Sequence, residues 1–256
     1  MPKEVIKTPF RDHFSNVSDQ YAQFRPRYPD ALFGYLAERS PQREVAWDCA
    51  TGTGQAALPL ARLFSRVIAA DASARQTTQA EKHPRVHYIV AAAEASGLRA
   101  SSIDLITVAQ ALHWFDLPRF YAEVERVLRP GGVLAVWSYG RLRMAPPALQ
   151  SCLDHFYDDI VGPYWPPERR HVEEGYRSLA FPFDELRPPA FALTADWPLN
   201  HLAGYLRTWS ATQAYTRAHG HDPVANLLPE LAKHWGHAHS QCTVTWPIAL
   251  RVGLRP

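Results

Sequence analysis

The chain has 256 residues, and its 27 basic and 25 acidic side chains leave a net charge of +2, a balance that disfavours a nucleic-acid partner. With 46% apolar and 20% charged residues it is not a disordered chain, and it is long enough to bury a sizeable core. Cys49, Cys152 and Cys242 lie too far apart for a disulfide framework or a C-x-x-C metal or redox site, no apolar run reaches the roughly 20 residues of a membrane span, and Met-Pro-Lys-Glu-Val lacks a signal-peptide core, so a cytoplasmic protein without membrane contact is expected.

Residues 1–28 are polar and aromatic, with Phe14, Tyr21, Phe24 and Tyr28 interleaved by Arg25 and Arg27. From Pro29 onward, Leu32, Phe33, Leu36 and Ala37 recur at helical spacing, which predicts a helix lying against a sheet. Residues 45–71 read as a strand-loop-helix-strand unit. An apolar run ends at Asp48 or Cys49, a small-residue turn follows, and a helix over 55–64 leads into a second strand over 67–70. Gly52 and Gly54 lack Cβ atoms, so the backbone can turn sharply and a ligand can press against the peptide groups. Asp71 closes the second strand, where a carboxylate can accept hydrogen bonds from both hydroxyls of an adenosine ribose.

A helix over 72–81, strands over 86–91 and 103–109, a helix over 117–128 stopped by Pro130-Gly131-Gly132, and a fifth strand over 133–137 come next. Strands alternating with helices at this spacing predict a parallel sheet with right-handed crossovers. Residues 1–140 thus form an N-terminal segment and a doubly wound cofactor-binding half. Residues 141–190, rich in proline, aromatics and arginine with one helix from about 148 to 160, are expected to form an inserted lid. Residues 191–256 complete the same domain with an extended run over 191–197, helices over 202–215 and 223–235, and a final strand over 242–252.

Two cofactors compete for the glycine loop. Gly52-Thr-Gly54-Gln-Ala-Ala57 fits the G-x-G-x-x-A of a nicotinamide dinucleotide, with Asp71 about 20 residues on. Asp48 favours the other reading, because an acid at the end of the first strand suits a cofactor carrying an ammonium group. Beyond the third strand, Ala93 is small enough for an adenine to meet the backbone, and Glu94 is either a cofactor contact or a solvated acid. Beyond the fourth strand, Gln110, His113 and Trp114 should face the pocket, since ligands of open α/β sheets bind beyond the strands' carboxyl ends. His113 is a candidate general base or a structural histidine. His234, His237 and His239 lack a cysteine or clear carboxylate partner and are not read as a metal site.

Tyr21-Ala-Gln-Phe-Arg25-Pro-Arg-Tyr28-Pro, the 48–54 loop, Asp71, His113-Trp-Phe-Asp116 and Leu128-Arg-Pro-Gly-Gly132 together resemble a class I S-adenosylmethionine methyltransferase, nearly end to end. Ala50 stands where the D-x-G-x-G-x-G loop of that class has its first glycine. Within the class the chain is similar to the fungal-type trans-aconitate methyltransferases, which share a Gly162-Pro-Tyr-Trp165 type motif and a Tyr205-Leu-Arg-Thr-Trp-Ser210 type helix. The resemblance implies a seven-stranded, mostly parallel Rossmann-like sheet with an antiparallel last strand and a helical lid after strand five. It implies S-adenosyl-L-methionine as cofactor, with Tyr21 and Arg25 over its methionine end. The remaining cofactor positions are Asp48, Ala50, Gly52, Gly54, Asp71, Ala72, Ala93, Glu94, Gln110 and Trp114. The insertion would roof the acceptor pocket, with Tyr28, His113, Tyr164, Trp165, Arg207 and Trp209 as candidates for substrate contact.

The implied reaction is methyl transfer to a small molecule, with a carboxylate metabolite as the suggested acceptor and a methyl ester as product. An ionised carboxylate needs no general base but does need arginine forks, for which Arg25, Arg27, Arg169, Arg170 and Arg207 are candidates. The competing readings are an NAD(P)-dependent oxidoreductase and a non-catalytic, cofactor-binding regulatory protein. A monomer or a homodimer is expected.

Overall fold

A computed structural model describes residues 26–237 and 240–256. Tyr21, Arg25 and His239 lie outside the described residues. The centre of the molecule is a sheet whose strands are β1 (Val45–Cys49), β2 (Arg66–Asp71), β3 (Val86–Val90), β4 (Ile103–Ala109), β5 (Leu128–Tyr139), β6 (Arg143–Met144), β7 (Phe191–Trp197) and β8 (Cys242–Leu254). Their order is β3-β2-β1-β4-β5-β8-β6, with β7 also on β8. β1 to β5 run parallel, whereas β8 is antiparallel to β5, β6 and β7.

Period-two alternation sorts the apolar side chains to two faces. Ala46, Leu105, Val133, Ala135 and Trp137 point to one face, where Leu32, Phe33 and Leu36 of α1 (Asp30–Arg39) and Leu60 of α2 (Ala57–Leu63) cover them. Trp47, Ile106, Val108, Leu134 and Val136 point to the other, under Phe120, Val124 and Val127 of α4 (Leu117–Val127). The short α3 (Ala74–Gln79) has no buried residue. Both faces of the parallel strands are therefore dry, which is why they read as nearly continuous apolar runs.

The doubly wound expectation holds, with three differences. The sheet has eight strands because the insertion opens with the two-residue β6, whose Arg143 and Met144 pair with Thr245 and Val244. β5 begins at Leu128, not Val133, because Leu128 pairs with Ile103 before residues 129–132 loop out opposite Asp104 and pairing resumes at Leu105 with Val133. Gly131 takes φ +74° in that excursion, and a Cβ on Gly132 would meet the Arg129 carbonyl at 2.8 Å, so the two glycines permit a turn inside a strand. The helix expected over 202–215 is two, α7 (Leu199–Arg207) and α8 (Ser210–His219), because Thr208 Oγ1 donates to the Tyr205 carbonyl and Trp209 takes extended backbone.

The insertion carries α5 (Pro147–His155), which passes into a π-helical turn over Phe156–Ile160, and α6 (Arg169–Glu173). Leu149, Leu153 and Phe156 join one core, and Val172 and Tyr176 join the other. It therefore straddles the carboxyl edge of the sheet. α9 (Pro223–Trp235) matches its expected span. Among the described residues no helix is long and apolar enough to cross a membrane.

Candidate active site

Strand order reverses between β1 and β4, and the crevice beyond their carboxyl ends is where an open α/β sheet takes a ligand. Both strands leave the sheet through a left-handed residue that is not glycine, Ala50 with φ 53° after β1 and Gln110 with φ 60° after β4. Each costs about 1–2 kcal/mol, and such strain gathers at binding sites. The loop pattern has glycine at position 50 for this reason, and here alanine bears the strain.

Asp48 is 1% exposed and sits beneath this loop. One carboxylate oxygen accepts from Thr51 Oγ1 at 2.5 Å and the other from Thr107 Oγ1 at 2.8 Å. Burial pushes its pKa up to about 6 against the pull of the two hydroxyls. The side chain expected to face a charged tail therefore has both oxygens engaged by the protein, and ties the loop to β4. Asp71 accepts from the Gly52 amide at 2.9 Å and the Ser73 amide at 2.8 Å, so its carboxylate is fixed at the tip of β2. Gly52 has φ +57° and open space where a Cβ would point. Gly54 has φ +89° and packs so closely on Tyr88 that a Cβ would overlap the phenol.

The residues expected around an adenine also lie together. Ala72 is exposed beside Asp71, Ala93 is buried, and Glu94 accepts from the Asp116 amide at 3.0 Å. That bond ties the loop after β3 to the 3-10 turn Leu112–Trp114 after β4, where Trp114 is 38% exposed. Gln110 donates from Nε2 to the Tyr139 carbonyl at 2.9 Å, across the ends of β4 and β5. The ring of Tyr28 stands edge-on to Trp137 and Tyr139 at the same end.

The insertion presents side chains instead. Tyr157, in the π-helical turn, has the Arg141 guanidinium 4.1 Å from its ring centroid and that of Arg169 at 5.7 Å. Its hydroxyl donates to Glu173 and accepts from Arg169 Nε at 2.9 Å. Arg141 forms a two-pronged ion pair with Asp158. Arg169 lies 4.6 Å over Trp165, which packs on Tyr157 and, behind it, on the buried Trp209. Arg141, Tyr157, Trp165, Arg169, Arg170 and Glu173 line a cavity of about 340 Å³. Only Nε of Arg169 is engaged among the described residues, so the terminal nitrogens of its guanidinium are free to bind.

His113 joins lid and sheet, with Nδ1 3.1 Å from Tyr176 Oη. Burial, with Arg169 and His171 adding repulsion, pushes its pKa down to about 4. Ser138 Oγ, on β5, donates to the Val172 carbonyl and holds α6 down. Tyr164 and Arg207 are turned elsewhere. Tyr164 pairs with His219, and Arg207 pairs at 2.7 Å with Asp222, the N-cap of α9, so neither lines this cavity. No group of three metal-ligating side chains occurs among the described residues. Thr107, Arg141, Tyr157 and Tyr176 were not singled out by motif or spacing. Only Arg141 carried a local signal, as a cation just past a strand's carboxyl end.

Comparison with known proteins agrees with this geometry. The methyltransferase domain family matches residues 47–136. A Dictyostelium discoideum protein that carries the name methyltransferase is 37% identical over 229 residues, spanning 88% of this chain and 87% of its own length. A Saccharomyces cerevisiae relative, CRG1, named as an S-adenosylmethionine-dependent methyltransferase, is 27% identical over 247 residues, 82% of this chain and 85% of its own. A solved structure from Anaeromyxobacter dehalogenans, of a protein that carries the name type II methyltransferase, superposes with a TM-score of 0.87 at 49% identity, covering 90% of this chain and 98% of that one. The glycine loop left two cofactors open, and these matches remove the nicotinamide reading. The chain belongs to the class I S-adenosylmethionine-dependent methyltransferases.

Proposed function

We propose that the protein methylates a small acidic metabolite on a carboxylate oxygen, giving a methyl ester. The residues present fit the cofactor, since the strained turn at Ala50, the open space over Gly52 and the fixed carboxylate of Asp71 leave room and polarity for an adenosyl group along the crevice. Gly52, Asp71, Ala93, Glu94 and Trp114 would hold it, with Asp48 setting the loop from beneath. When bound, S-adenosylmethionine supplies a methyl group on a sulfonium that departs as a neutral thioether.

The protein's own task is then alignment and exclusion of water. A carboxylate is ionised at neutral pH, so its oxygen lone pair can form the new O–C bond without a base. The observation that carries this reading is Arg169, whose side chain is 21% exposed, stacked on Trp165, and free at both terminal nitrogens among the described residues. A guanidinium held this way is suited to a bidentate carboxylate. Arg170 adds a cation at the cavity, and Trp165 and Tyr157 provide a dry wall. The likeness to trans-aconitate methyltransferases points to the same acceptor class.

The test is mass spectrometry of products after incubation with S-adenosylmethionine and a panel of di- and tricarboxylates, phenols and amines. Methyl esters of one or more polycarboxylates are expected. Turnover of a phenol or amine with no ester formed overturns the reading.

A further inference from the structure

The contact between Tyr176 and His113 fixes where the imidazole hydrogen sits. Tyr176 is 0% exposed, so its hydroxyl hydrogen must find an acceptor inside the protein. Leaving a buried donor without one costs about 1–3 kcal/mol. Among the described residues, the acceptor in reach of the O–H is His113 Nδ1 at 3.1 Å. Nδ1 must then carry a lone pair, which places the ring hydrogen on Nε2. Were Nδ1 protonated instead, it would donate to the phenolic oxygen and the phenol hydrogen would have no partner among the described residues.

Nε2 itself has no partner among the described residues. It belongs to the turn just beyond the carboxyl end of β4, where the crevice opens and where Tyr176 of the insertion meets the ring. Burial first, and then Arg169 and His171 on α6, oppose a positive charge on the ring, so the imidazole stays neutral at physiological pH.

We infer that His113 meets the methyl acceptor as a hydrogen-bond donor through Nε2–H, with Tyr176 as the positioning residue that holds this tautomer. The inference rests on the reading that the acceptor lies in the crevice beneath the lid. Its partner is an oxygen bearing a lone pair or a negative charge, such as the carboxylate oxygen that does not attack. No proton moves at His113, so the role differs from that of a general base, which would need a lone pair on the nitrogen facing the acceptor.

The tautomer is measured first, on the full chain without acceptor. Long-range ¹H–¹⁵N correlation spectra of protein labelled at histidine, with His113 assigned from His113→Gln, should show a neutral ring protonated at Nε2 near pH 7. Tyr176→Phe should move the ring towards a mixture of tautomers. A ring protonated at Nδ1, or a doubly protonated one, overturns the inference, and either result is independent of which acceptor is correct. Kinetics on whichever acceptor turns over form the second arm. His113→Ala should raise KM about tenfold or more with a smaller change in kcat, and His113→Gln, which restores an N–H donor, should recover most of that loss. A fall in kcat of about 100-fold or more in both variants is the signature of a lost base and overturns the donor role.

Discussion

The two walls of the crevice are built from different materials. On the sheet side the surface on offer is mostly backbone, the left-handed turn at Ala50 and the bare Gly52, held in shape by the Asp71 carboxylate on the Gly52 amide and by the Asp48 carboxylate between Thr51 and Thr107. On the side of the insertion it is side chains, with Arg141 and Arg169 around Tyr157, Trp165 beneath Arg169, and His113 on Tyr176. A cofactor shared by a whole class can be held by main-chain shape, which tolerates change in side chains. An acceptor that differs from one enzyme to the next has to be selected by groups that evolution can exchange.

Acid titration should separate the two walls most strongly, since each holds one displaced group and the displacements oppose each other. Asp48 titrates at 3.8 when unfolded and at about 6 in the fold. As pH rises through that window the unfolded chain loses its proton first, so this group's contribution to stability falls. His113 goes from 6.5 down to about 4, so as pH falls through that window the unfolded chain gains a proton first, and stability falls in the other direction. Each effect approaches about 3 kcal/mol at its limit. Urea denaturation between pH 4 and 7 should therefore show a shallow profile in the wild type, one that rises more steeply with pH in Asp48→Asn, and one that falls with pH in His113→Gln. Parallel profiles for the two variants would mean that the pair does not oppose.

Gly54→Val should cost a similar amount, about 3 kcal/mol. A β-branched residue cannot readily adopt φ +89°, and its side chain would displace Tyr88, whose hydroxyl donates to the Glu81 carbonyl. The midpoint of urea unfolding measures it, and an unchanged midpoint would show that Tyr88 yields freely. The smallest effect is a gain. Ala50→Gly removes left-handed strain at the expense of chain entropy, and should raise stability by about 0.5–1 kcal/mol by the same measurement.

The difference between the walls also governs what could be read from sequence. β4, β7 and α9 fall on the spans expected from periodicity, because their signals lie within a single element. The sheet-side wall was legible because Asp48, Thr51 and Gly52 fall in one turn that the glycines mark and Asp71 ends the next strand of the same strand-loop-helix-strand unit. The exception is Thr107, which reaches Asp48 only through the pairing of β1 with β4. The lid was legible as composition but not as geometry. Its contacts follow no motif spacing, from Arg169 on Trp165 to His113 on Tyr176, and its helix ends in a π turn that no spacing announces. Arg207 looked available for a substrate because its partner, Asp222, becomes a neighbour only where α7 and α9 meet.

The claim on which both walls depend is that the bare backbone at Gly52 is where the cofactor lies. Calorimetric titration of the demethylated cofactor, S-adenosylhomocysteine, into wild type and Gly52→Ala tests it most directly, because Ala50 already holds alanine at φ 53° and a Cβ at Gly52 meets no protein atom within 4 Å. The variant should fold to the same structure with about 0.5–1 kcal/mol less stability and bind at least about tenfold more weakly, a loss of about 1.4 kcal/mol or more. Equal affinity in the two proteins would place the cofactor elsewhere.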